Sequence, residues 1–152
     1  MDFFDKLKSK KIQVSKTEEF GYDLRQQWEA VFASHLSPKE KRQISFHDKG
    51  GASGFLWHLF SYEKRKCEKE EQAERAFDKH FKDTCLIFFQ HSDEVWMVEE
   101  ASDLKAKDLL MTYAEYADLY VVDREYKWTF VVTHEQGWIG PFFCRTEEER
   151  CS

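Results

Sequence analysis

No run of apolar residues in this chain is long enough to cross a bilayer, and its opening, MDFFDKLKSKK, holds no apolar core of signal-peptide length. A cytoplasmic location is the expectation. Positive charge is in deficit, 23 Lys and Arg against 29 Asp and Glu for a net charge of -6. That balance argues against generic binding to nucleic acid or to an anionic membrane. The four cysteines, at 67, 85, 144 and 151, form no CxxC and no metal-finger spacing, so reduced thiols are expected. Cys85 lies in an apolar run and reads as core, whereas Cys151 reads as exposed. There is no GxGxxG and no GxxxxGK(S/T), which excludes the usual phosphate cradles. There is no GxSxG elbow, and neither Cys85 nor Cys144 has a base beside it in sequence, so a nucleophilic enzyme has no foothold. Repeats, low-complexity tracts and linkers are also missing. A single domain over 1–152 is expected, with an acidic, frayed tail over 146–152.

What the chain does have is rings. Hydrophobic residues make up 41% and aromatics 16%, including fourteen Phe and five Trp, the composition of a folded protein with a ring-built core. The densest stretch is Asp118 to Phe143, DLYVVDREYKWTFVVTHEQGWIGPFF. Leu119–Val122 and Trp128–Val132 are rich in β-branched and aromatic residues and read as strands. Asp123 to Tyr126 is a polar reversal of hairpin length, and Glu135-Gln136-Gly137 is a second one ending in glycine. A third strand, Trp138 to Phe143, contains Gly140-Pro141, which predicts an edge or a bulge because proline cannot donate to a ladder. Counting in twos puts Trp128, Phe130, Val132 and His134 on one face and Thr129, Val131, Thr133 and Glu135 on the other. Both faces are apolar, so this strand is expected to be central and covered on both sides.

Upstream, Met1 to Lys11 predicts a short helix, and Ile12 and Val14 a brief strand. Ser15-Lys16-Thr17-Glu18 has capping-box spacing, and Phe20, Leu24, Trp28, Val31 and Phe32 follow with helical period, predicting a helix from Glu18 to Ser34. Ser37-Pro38-Lys39-Glu40 is a second capping box, with proline at the first helical position. His47 to Gly54 is a glycine-rich loop, and Phe55 to Phe60 a buried strand or short buried segment. Glu63 to Asp83 predicts a charged surface helix with Ala73, Ala76, Phe77, His80 and Phe81 as its packed edge. Leu86–Gln90 and Val95–Val98 read as a hairpin, and Ala106 to Ala117 as one or two helices, with a capping box at Thr112 to Glu115. The fold class is α+β: a single antiparallel sheet, largely a C-terminal meander, with N-terminal and inserted helices packed on it.

Two pieces, Trp57-His58-Leu59-Phe60-Ser61-Tyr62-Glu63 and Asp118 to Phe143, resemble a bacterial domain-of-unknown-function family in which WHLFSYE and DLYVVD…WTFVVTHE…GPFF recur. The likeness spans roughly Trp28 to Phe143. It implies a small soluble bacterial domain and brings no activity with it.

The candidate binding residues are Trp57, His58, Glu63, Trp128, His134, Glu135 and Trp138. Trp and Tyr are enriched where proteins meet. A small acidic module that binds another protein, regulatory or immunity-like, with an aromatic patch and an acidic rim, is the favoured class, with no cofactor. The alternative is a metal-assisted hydrolase in which His58 and His134, with nearby carboxylates, hold a divalent metal. Against it, adjacent strand residues such as His134 and Glu135 face opposite ways unless the strand ends between them. The plainer role for His134 is to hydrogen-bond its hairpin, and for His58 to be a satisfied core histidine. Exposed rings on a flat face would mark the binder; His and carboxylate groups converging in a cleft would mark the enzyme.

Overall fold

The computed structural model describes residues 3–47, 54–110, 118–135 and 139–146. Among the described residues seven strands form one sheet in the order β1-β4-β3-β5-β6-β7-β2. They are Val14–Lys16 (β1), Glu68–Lys69 (β2), Cys85–Phe89 (β3), Trp96–Val98 (β4), Leu119–Asp123 (β5), Trp128–Val132 (β6) and Phe142–Arg145 (β7). Every pairing is antiparallel. The expected sheet is therefore present, and Val121 sits opposite Phe130 within it. Helices α1 (Phe3–Ser9), α2 (Gly21–Phe32), α3 (Pro38–Gln43), α4 (His58–Ser61), α5 (Glu70–Lys79) and α6 (Ala106–Leu109) complete the described elements, with a single 3-10 turn at Ala101–Asp103.

Period-two alternation sorts the sheet's side chains into two cores. Trp128, Phe130 and Val132 point to one, with Ile87, Val121, Phe143 and Phe77 of α5. Val131, Phe88, Tyr120 and Val122 point to the other, with Leu24, Trp28 and Phe32 of α2 and Leu59 and Phe60 of α4. Central strands covered on both faces have no polar side to show, and β3 and β6 are buried at every position. One polar thread crosses the second core. Trp28 Nε1 donates to Thr129 Oγ1 at 3.0 Å, and that hydroxyl donates to the Val121 carbonyl at 2.8 Å.

Several expectations are corrected. The third C-terminal strand begins after Pro141, and it is not an edge. It pairs with β6 on one side and with the two-residue β2 on the other, so the proline stays outside the ladder. Of the two alternatives for Phe55 to Phe60, the strand does not form and the short buried segment does: His58–Ser61 is one helical turn, followed by Glu63 in the left-handed region at φ 56°. Helix α2 starts at Gly21, because Val14–Lys16 is spent in β1 and Thr17 Oγ1 accepts from the Glu19 amide without capping a helix. Helix α5 starts at Glu70, the chain before it being used by β2. Phe81, expected in its packed edge, is 80% exposed. The capping box at Ser37 is formed as expected, its hydroxyl accepting from the Glu40 amide at 3.1 Å and the Glu40 carboxylate from the Ser37 amide at 2.9 Å. Expectations for Asp48 to Ser53, Thr112 to Glu115, Gln136 to Trp138 and the tail from Glu147, including Cys151, fall outside the described residues.

Candidate functional site

Asp118 immediately precedes β5, and its side chain is only 7% exposed. A buried carboxylate needs donors, and this one has three. Trp57 Nε1, the His134 backbone amide and His134 Nδ1 each lie 2.9 Å from Asp118 Oδ1. Next to it, Gln90 Oε1 accepts from the Leu56 amide at 3.0 Å and from the Tyr120 hydroxyl, and the Trp57 amide donates to Tyr120 Oη at 3.3 Å. Burial, then the nearby Asp118 charge, hold the Tyr120 phenol well above its ordinary value, so it keeps its proton. These bonds fasten residues 56 and 57 to the sheet from beneath.

Above them lies a cluster of rings. Phe55 is stacked on Trp57 at 5.0 Å between centroids, and three imidazoles surround it: His134 at 5.1 Å, His58 at 5.4 Å and His91 at 5.6 Å. Tyr62, 53% exposed, packs edge-on against His58 at 5.3 Å. Two of the imidazoles are fixed in one tautomer. Carboxylate and carbonyl oxygens only accept, so His134 Nδ1 donates to Asp118 and His58 Nδ1 donates to the Ser45 carbonyl at 3.0 Å. When either ring is neutral, its Nε2 is left as an acceptor.

Of the seven residues singled out from the sequence, Trp57, His58 and His134 meet here, with Glu135 on the adjoining turn. Trp57 is 2% exposed and so is anchor and not contact surface. His134 does not join Trp128 and Phe130, as parity would have it. Strand β6 ends at Val132, the backbone turns, and the imidazole packs on Phe55 and Trp57 instead. His58 is half-buried and satisfied, and not a core histidine. Trp128 faces the other core. Glu63 is turned to Lys69 at 3.3 Å, and Trp138 is outside the described residues. Among the described residues no group of three His, Cys, Asp or Glu is placed to hold a metal ion. Phe55, His91 and Asp118 were missed. Asp118 had a signal: the ladder that pairs Leu119 with Val132 carries Asp118 to the level of Thr133, next to His134.

A concavity lies at the far end of β5. It is a groove of about 720 Å³ with Trp128 and His80 among its lining residues and Phe81 at its rim. Burial, then the Arg145 and Lys82 charges, push the His80 imidazole below its ordinary value, so it is neutral at pH 7. No helix among the described residues is long and apolar enough to cross a membrane. A family model described as "Domain of unknown function (DUF4275)" matches residues 1–143. No curated protein and no solved structure matches the chain.

Proposed function

We propose, for a chain that belongs to the domain-of-unknown-function family DUF4275, that it is a protein-binding module of the bacterial cytoplasm and docks its partner on the ring cluster above Asp118. The observation that carries this reading is that Phe55 sits among three imidazoles at 5.1 to 5.6 Å while its stacking partner Trp57 is bolted to a buried carboxylate. Rings whose positions are set by bonds beneath them lose little conformational freedom on binding, which is what a recognition hot spot needs. His58 and His134 present Nε2 acceptors, Glu135 adds an exposed carboxylate, and the chain carries a net charge of -6. The partner that suits such a surface is basic and rich in hydrogen-bond donors, with association that slows as salt is raised.

The test is to capture partners with wild type and with Phe55→Ala in cells that make the protein, then to measure affinity with the purified partner. Phe55→Ala should weaken binding about 30-fold, about 2 kcal/mol, the size of a hot-spot loss. A partner held equally well by the variant, or one indifferent to salt, would place the docking surface elsewhere.

A second reading rests on the 2.9 Å bond from His134 Nδ1 to Asp118, the arrangement of a general base with its orienting carboxylate. Among the described residues no hydroxyl or thiol donates to His134 Nε2, and Thr133 Oγ1 is turned to the Ile139 carbonyl. This reading therefore requires water as the nucleophile. Hydrolysis of model esters that disappears in His134→Asn would support it over docking.

A further inference from the structure

The groove at the far end of β5 has its own chemistry, independent of the Asp118 cluster. Residues 81–83 alternate exposed, buried, exposed, as an extended chain does. Lys82 points inward, its Nζ donating to the Phe77 carbonyl at 2.6 Å and the His80 carbonyl at 3.2 Å, where it closes the end of α5. Phe81 and Asp83 therefore project on the same outer side, about 7 Å apart along the chain. Arg124 is held beside them, because its amide donates to the Thr84 carbonyl at 3.2 Å. All three residues line the groove.

Most charges around it are already matched. Arg145 is on Glu68 at 3.1 Å, Lys127 on Glu125 at 3.2 Å, and Asp123 Oδ2 accepts the Glu125 and Lys127 amides, both at 3.2 Å. Among the described residues the side chains of Asp83 and Arg124 have no partner. A phenyl ring left 80% exposed, with an unmatched carboxylate two residues along and an unmatched guanidinium beside it, is a three-point frame. We infer that this groove binds a small aromatic zwitterion of the amino-acid class, its ring against Phe81, its ammonium on Asp83 and its carboxylate on Arg124. The groove's volume, about 720 Å³, is within the range of small-molecule sites. Guanidinium and carboxylate suit each other geometrically, and the ammonium is a point charge that a single carboxylate can hold.

The full chain is titrated by calorimetry with L-phenylalanine and L-tryptophan, and with phenethylamine and 3-phenylpropionate, which each lack one charge. The expected result is binding of the two amino acids and loss of about tenfold or more in affinity for either truncated probe. Asp83→Asn should erase the preference for L-phenylalanine over 3-phenylpropionate, and Arg124→Gln that over phenethylamine. Phe81→Ser should weaken every probe. All three residues are on the surface, and unchanged denaturation curves will show that the variants fold. No heat from either amino acid up to about 10 mM, or binding that ignores Asp83→Asn and Arg124→Gln, would overturn the assignment.

Discussion

Trp28 shows how one residue can do two jobs. Its ring meets Phe32, Phe60 and Tyr120 at 5.1 to 5.8 Å, and its indole N–H satisfies Thr129 inside an otherwise apolar layer. Trp28→Ala should cost about 3–5 kcal/mol, as large aromatic truncations do. Trp28→Phe keeps most of the ring but removes the donor, and should cost less than Trp28→Ala by at least about 1 kcal/mol. Urea denaturation of both variants checks this, and a loss below about 1 kcal/mol for Trp28→Ala would mean the site collapses freely. The position was legible from helical spacing alone. Its partner Thr129 was legible only as a residue on the opposite parity from Phe130. The candidate site was legible in half. Trp57, His58 and His134 stood out by type, but the carboxylate that ties two of them together is 16 residues from His134, and nothing local points to it.

At the scale of elements, what could be read was whatever physics acts over a few residues. The Ser37 box needs only a hydroxyl and a glutamate three positions further on, and it is there. The box at Ser15 has the same letters and is absent, because pairing with β4 claims Val14–Lys16 first. Phe55 to Phe60 is six residues, five apolar and one histidine, too short for period to separate strand from helix. The start of α2 turns on space, not propensity. Gly21 donates to the Asp93 carbonyl at 2.9 Å, and a Cβ there would stand 2.5 Å from the Ser92 carbonyl oxygen and 2.9 Å from Arg25 Nη1. Helix propensity alone says Gly21→Ala stabilises by about 0.5–1 kcal/mol. The contact with backbone says the opposite, a loss of about 1–3 kcal/mol from overpacking. The sign of the change in denaturation midpoint decides which holds, and a stabilised Gly21→Ala would mean the hairpin at Ser92 yields.

For the molecule as a whole, the buried titratable groups bracket the pH range over which the fold is most stable. On the acid side, burial lowers His80 from its ordinary 6.5, so between 6.5 and its folded value the unfolded chain binds more protons and stability falls as pH drops. Glu29 follows with the same sign. Burial alone would raise it, but Lys41 at 2.6 Å and His47 at 2.7 Å outweigh that and hold it below 4.5, so its contribution is lost as pH falls through its folded value. On the alkaline side, burial pushes Cys85 from 9.0 to about 12, burial raises Tyr126 to about 12, and Tyr120 is raised as well. The unfolded chain then loses protons that the folded one keeps, and stability falls as pH climbs past 9. Lys82 has the opposite sign: burial lowers it from 10.5, and stability recovered through it partly offsets the three acids. Three groups against one leaves a net decline. Urea midpoints measured across pH should therefore be highest between 6.5 and 9.0 and fall on both sides. His80→Gln should flatten the slope just below 6.5 and leave the step below 4.5, while Cys85→Ala should move the alkaline onset upward. A midpoint that stays level from 6.5 down to 4.5 in wild type would show that His80 takes up its proton in the fold as readily as in the open chain, and that the groove it lines is wetter than its packing against Trp128 and Phe143 implies.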